Sequence, residues 1–128
     1  RFNQVGEIED HVRDYPNLQN LFSRFLKKQS TTLHLNKHRD LFLNKWIAGM
    51  FLAFKSIDYE RLKGFDERFY MYLEDVDICK RINHMDLYTG VDNKNFVIHD
   101  ARRDSHRNIK LFLTHCQSYF KFFIKWNF

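Results

Sequence analysis

No apolar run in this sequence is long enough to span a bilayer, and its first residues do not read as a signal peptide. It has no internal repeat, no low-complexity tract and no Gly-rich phosphate loop. These absences remove a membrane-spanning helix, a repeat architecture and a P-loop from consideration. Cysteine is scarce: Cys79 and Cys116 are the two, and both fall on apolar faces of expected helices. That placement predicts reduced core thiols of a cytosolic protein.

What is present fits one small α/β domain. The chain has 128 residues, of which 44% are hydrophobic, a content that argues for a globular fold over disorder. Aromatics reach 17%, with 14 phenylalanines, enough to predict some exposed aromatic surface. A net charge of +5 would suit nucleic acid, anionic lipid or a phosphorylated substrate and does not choose among them. Nucleic acid is disfavoured because the aromatics sit in apolar runs and are not interleaved with Lys and Arg, as a base-stacking platform requires.

In chain order, residues 1–16 lack periodicity and read as loop. Leu18, Leu21, Phe22, Phe25 and Leu26 predict an amphipathic helix from Asn17 to Lys28. A polar, basic loop is expected over 29–45, then a strand buried on both faces over 46–54. Ser56 is expected to cap a short helix through Leu62 that Gly64 ends. A helix containing Asp75 runs to about Met85, and Leu87–Val91 and Asn95–His99 read as short strands around an Asp92–Asn95 turn. Ser105 is expected to cap a long amphipathic helix over 105–126. In it Ile109, Phe112, Leu113, Cys116, Phe120, Phe123 and Ile124 form one apolar face, and Leu111, Phe122 and Trp126 widen it until the final turns are apolar around most of their circumference. Lys110, Gln117, Lys121 and Lys125 form a narrow polar stripe, so part of the apolar surface is expected to meet something other than this domain.

The stretch Gly64–Arg81 organises the rest. Glu74, Asp75 and Asp77 follow an aromatic run at the start of a helix whose apolar positions are Val76, Cys79 and Ile82. A helix N-terminus favours carboxylates, so Glu74 and Asp75 suit capping and Asp77 suits a pair with Arg81 at i,i+4. The wider pattern goes further. Gly-Phe-Asp-Glu-Arg-Phe followed by Glu-Asp-Val-Asp-Ile-Cys-Lys-Arg resembles the acceptor-side signature of family 2 glycosyltransferases, which have the GT-A fold and use nucleotide sugars. The resemblance implies that Asp75 is the general base of an inverting transfer and Glu74 the neighbour that orients or tunes it.

Other segments join the same resemblance. Trp46 with Gly49 is similar to a Trp-x-x-Gly strand bordering the acceptor and donor sites; a core tryptophan is the plain alternative, and Gly49 would let a ligand approach the backbone closely. His99, after Val97-Ile98, matches the family's metal-binding histidine and implies Mn²⁺ or Mg²⁺. Arg102, Arg103 and Arg107 would face phosphates at a helix N-terminus, in a stretch that resembles rhamnosyltransferase-like bacterial enzymes of surface polysaccharide assembly. The family's Asp-x-Asp metal motif is absent, since Asp75-Val76-Asp77 lies where the family keeps its base. Residues 1–128 are therefore expected to be a single partial domain, the acceptor-side C-terminal half of a GT-A (Rossmann-like) catalytic domain, inactive without an N-terminal nucleotide-binding half. The expected activity is sugar transfer from a nucleotide-sugar donor to a hydroxyl of a lipid-linked glycan in cell-surface polysaccharide biosynthesis, at the cytoplasmic face of the plasma membrane with peripheral membrane contact through the last helix. The rival expectation is a catalytically inactive remnant that binds membrane or protein.

Overall fold

A computed structural model describes residues 12–17, 45–90, 92, 94–95, 97–98 and 108–126. Within them lie β1 (Val12–Asp14), β2 (Lys45–Ile47), α1 (Ser56–Arg61), α2 (Glu74–His84) and α3 (Ile109–Trp126), a mixed α/β arrangement. The helix expected from Asn17 to Lys28, beyond Asn17 itself, and most of the loop expected over 29–45 lie outside the described residues.

The two strands pair antiparallel, with Val12 opposite Ile47, Arg13 opposite Trp46 and Asp14 opposite Lys45. Residues 12–14 were expected as loop; their strand is made by long-range partners that no local periodicity can announce. The Lys45 ammonium pairs with the Asp14 carboxylate, the Trp46 indole N–H donates to the Asp14 carbonyl at 3.0 Å, and the Arg13 guanidinium lies 5.3 Å from the Trp46 ring. The strand expected over 46–54 stops at Ile47, and Phe51 is 68% exposed, so it is not buried on both faces. The reason is α2. Beyond the pairing with β1, the Ile47 N–H donates to Cys79 Sγ at 3.4 Å and the Gly49 N–H to Asp75 Oδ2 at 2.8 Å, so the backbone turns onto a helix instead of into a sheet.

Helix α1 starts with Ser56 inside the first turn, and no side chain caps it. Its end is a Schellman motif: the Lys63 N–H donates to the Glu60 carbonyl at 2.9 Å and the Gly64 N–H to the Tyr59 carbonyl at 3.1 Å. Lys63 and Gly64 both take left-handed conformations, φ 58° and 68°, and a Cβ at Gly64 would sit 3.3 Å from the Tyr59 hydroxyl. Helix α2 forms where its carboxylates and apolar spacing predict, burying Val76, Ile78, Cys79 and Ile82. These meet Trp46, Ala48, Leu62, Phe69, Leu73 and Phe122 in the core. The strands expected at Leu87–Val91 and Asn95–His99 are absent from the described residues there, where Ile98 carries a single bridge. The turn between them does form: Asp92 accepts from the Lys94 N–H at 2.8 Å and the Asn95 side chain at 2.7 Å.

Helix α3 begins at Ile109, later than expected, because Asn108 is its cap: Asn108 Oδ1 accepts the Lys110 N–H at 2.9 Å. Ser105 lies outside the described residues. Only part of the wide apolar surface expected on this helix faces the core: Phe122 enters it, with Phe123 and Trp126 packed against it. Ser118 and Phe122 are buried, whereas Ile109, Leu113, Phe120 and Ile124 are between 59% and 69% exposed. Cys116 is exposed too, which corrects its expected core position, while Cys79 is buried and its thiol is pushed up to about 11 by that burial.

Polar partners decide the orientation of α3. Asp77 is fully buried on α2; one of its oxygens pairs with Arg81 at 2.9 Å, and the other meets Lys125 at 2.6 Å and the Trp126 indole N–H at 3.0 Å. Lys125 also reaches Asp66 at 2.7 Å, and Asp66 binds Arg68 at 2.6 Å. Removing one partner of a buried ion pair strands the other, so Lys125→Met should lower stability by about 3 kcal/mol in urea denaturation. Arg68 first, then Lys125, holds the Asp66 carboxyl well below the usual range. A depressed folded-state value means that Asp66 stabilises the fold above its unfolded value near ~4 and loses that contribution as pH falls through the folded one. Asp66→Asn should therefore flatten the acid limb of the stability curve below about pH 4; an unchanged limb would show that Asp66 carries none of it.

Candidate active site

The three carboxylates of Glu74-Asp75-Val76-Asp77 enter three different environments. Asp77 is spent on Arg81, Lys125 and Trp126, so neither of its oxygens is available to a metal or substrate. Asp75 faces the turn after β2. Its Oδ2 accepts the Gly49 N–H at 2.8 Å and its Oδ1 the Val76 N–H at 2.8 Å. Burial pushes the Asp75 carboxyl above the usual range, while the Gly49 and Val76 amides and then the charge of Arg13 pull it back. A carboxylate so placed is more basic than one in water yet aimed by backbone, which is what a general base needs.

Glu74 stands beside it, half-buried, and its Oε2 has no hydrogen-bond partner among the described residues. Burial, and then the charge of Asp75, raises its carboxyl, opposed by its own backbone N–H. Adjacent carboxyls with different environments can divide acid and base roles between them.

The backbone that delivers this pair is strained. Tyr72 and Leu73 both lie in the left-handed region, φ 68° and 66°, and Leu73 is the residue before α2. Such a conformation costs about 1–3 kcal/mol for a non-glycine residue and persists only where the surroundings impose it. Nothing in the letters Tyr and Leu signals it. Arg13, which with Tyr15-Pro16 resembles a segment that follows the nucleotide-binding half in bacterial members of the family, acts on Asp75 from β1, a role that its segment's lack of periodicity did not signal.

Gly49 is where the sequence put a close approach, and what approaches is Asp75: a Cβ on Gly49 would lie 3.1 Å from Asp75 Cβ and 3.3 Å from Oδ2. Trp46 is 7% exposed, packed in the core with its indole N–H on the Asp14 carbonyl. His99, Arg102, Arg103 and Arg107 lie outside the described residues. Among the described residues no group of three His, Cys, Asp or Glu side chains could hold a metal ion, so the residues in view do not by themselves fit a divalent cation.

No model of a known protein family matches the chain, and no solved structure matches it. Over 78 residues it is 32% identical to Rhamnosyltransferase WbbL of Escherichia coli (strain K12), a match that covers 60% of this chain and 30% of that protein. The matched region thus spans less than a third of that relative's length. This partial similarity supports a glycosyltransferase-like relationship.

The Gly49–Asp75 contact can be tested by filling it. Gly49→Ala puts a methyl on rigid backbone against a side chain held at both oxygens, and should cost about 1–3 kcal/mol of stability in thermal melts. Gly90→Ala, where a Cβ would meet nothing within 4 Å, is the control and should melt like the parent.

Proposed function

We propose that this chain is the acceptor side of an inverting, GT-A, family 2 glycosyltransferase, with Asp75 as its general base. The observation that carries this reading is the Asp75 carboxylate, partly buried yet held on both oxygens by backbone N–H groups at the start of α2. The partial similarity to a rhamnosyltransferase supports the reaction class. Asp75 would take the proton from an acceptor hydroxyl as its oxygen bonds to the anomeric carbon, while the bond from that carbon to the donor's diphosphate breaks. Glu74, with Oε2 unpartnered among the described residues, would hold the acceptor hydroxyl in line. The donor is a nucleotide sugar and the acceptor a lipid-linked glycan of the cell surface. Arg102, Arg103 and Arg107 remain our proposed phosphate contacts and His99 our proposed ligand for Mn²⁺ or Mg²⁺; such a cation would screen the charge of the leaving diphosphate. The nucleotide would be bound by an N-terminal half that this chain does not supply.

In the assembled enzyme Asp75→Asn should lower kcat by about 10²-fold or more and leave donor affinity within about twofold, because a base acts in the transition state and not on ground-state binding. Activity within about tenfold of the parent would remove Asp75 from the role.

A second reading, a non-catalytic module that binds a membrane surface, is favoured by the outer face of α3. Ile109, Leu113, Phe120 and Ile124 are exposed beside exposed Lys110 on a chain of net charge +5. No helix among the described residues is long and apolar enough to cross a membrane; the contact we propose, in either reading, is peripheral and at the inner face of the plasma membrane. Lys121 and Lys125, expected in the membrane-facing stripe, bind the Arg68 carbonyl and the Asp66–Asp77 pair instead, so their replacement would not probe lipid. The informative variant is Phe120→Glu with Ile124→Glu. It should lose co-sedimentation with anionic vesicles that the parent shows and that salt weakens; a parent that stays in the supernatant with anionic and neutral vesicles alike would remove membrane contact from both readings.

A further inference from the structure

Helix α3 runs along the segment 66–72 in the opposite chain direction and touches it at successive turns. Lys125 binds Asp66 at 2.7 Å, Lys121 donates to the Arg68 carbonyl at 2.9 Å, and the Phe122 ring lies 6.5 Å from that of Phe69. Further toward the start of the helix, Ser118 donates its hydroxyl to the Met71 carbonyl at 2.7 Å, and the His115 ring stacks on Tyr72 with centroids 4.4 Å apart. The last two contacts fall on the turn whose Tyr72 and Leu73 are left-handed, immediately before Glu74 and Asp75.

Ser118 is a small polar residue buried to 3% exposure in the middle of α3, on the face that also buries Phe122. The acceptor of its hydroxyl belongs to the strained turn. We propose that Ser118 and His115 are positioning residues for Asp75: they hold the Met71–Leu73 turn in its left-handed conformation and so fix where α2 begins relative to the Gly49 turn. The rest of α2 is anchored independently by Val76, Ile78, Cys79 and Ile82 in the core and by Asp77 on Arg81. If the turn relaxed toward ordinary φ values, the first residues of α2 would move while its middle stayed. The Gly49 N–H to Asp75 bond, which joins two separate segments, would then break before any other. That Asp75 acts as a base rests on the reading above; that α3 places it does not.

The test uses amide hydrogen exchange in the 128-residue chain, comparing Gly49 with Ile82, which lies in the last turn of α2, away from its first residues, and is buried in the core. Ser118→Ala and His115→Ala should each raise exchange at Gly49 relative to Ile82 by about tenfold, the change expected when one hydrogen bond opens locally. Trp126→Phe, which removes the indole bond to Asp77 at the far end of the same helix, should raise both amides together. An unchanged Gly49-to-Ile82 ratio in both the Ser118 and His115 variants would overturn the proposal, as would an equal rise of that ratio in Trp126→Phe. In the assembled enzyme Ser118→Ala should lower kcat without raising the acceptor KM. An active Asp75→Asn would sink the base assignment and leave the exchange result standing, so the two failures are distinguishable.

Discussion

A carboxylate with no exposure to water must be neutralised by partners brought to it, and Asp77 is that group here. Its own helix supplies one partner, Arg81, a turn away. The other two, Lys125 and the Trp126 indole, come from the far end of the chain and bring α3 with them. Once Lys125 is fixed between Asp77 and Asp66, the rotation of α3 about its axis is fixed as well. Phe122 then enters the core, Ser118 meets Met71, and His115 meets Tyr72. The setting of the Glu74–Asp75 pair therefore depends on a third, buried charge.

Charge also separates the carboxylates that could react. Asp75 and Asp77 are two residues apart on one helix, yet one is satisfied by ion pairs and the other by backbone amides. Ion pairs hold a carboxylate and block it; two N–H donors aim it and leave lone pairs toward an acceptor. Glu74 has only its own backbone N–H to oppose burial, with Oε2 unpartnered among the described residues, so burial raises its carboxyl. The three carboxylates thus become one anchor, one group aimed by backbone amides and one with an oxygen unpartnered among the described residues.

Local chemistry was legible in the letters. The start of α2, its apolar positions, the Asp77–Arg81 pair and the left-handed Gly64 after α1 all follow from contacts within a few residues. Long-range features were not. The strand at Val12–Asp14 exists because Lys45 and Trp46 meet it from 31 and 32 residues away, and the strand at Trp46 ends early because Cys79 and Asp75 take its amides. The depth of Asp77 was hidden as well, since the i,i+4 spacing to Arg81 is the same on a surface and in a core. Tyr72 and Leu73 carry no sign of positive φ, because neither residue type favours it.

The most informative mismatch is α3, whose strongest apolar stripe points outward. Both faces are apolar enough to cover a core, so hydrophobicity alone leaves the rotation undecided, and the stripe of Ile109, Leu113, Phe120 and Ile124 would be the better candidate. The inner face wins through residues a hydrophobic pattern counts as defects: Ser118, His115 and Lys125 each have a defined partner along 66–77. Replacing the buried ion pairs by apolar residues could leave stability intact. It would also remove the feature that tells the helix which way to turn, and with it the support for the Met71–Leu73 turn. In this chain the buried charges act through specificity of orientation, and it is orientation that places Asp75 against Gly49.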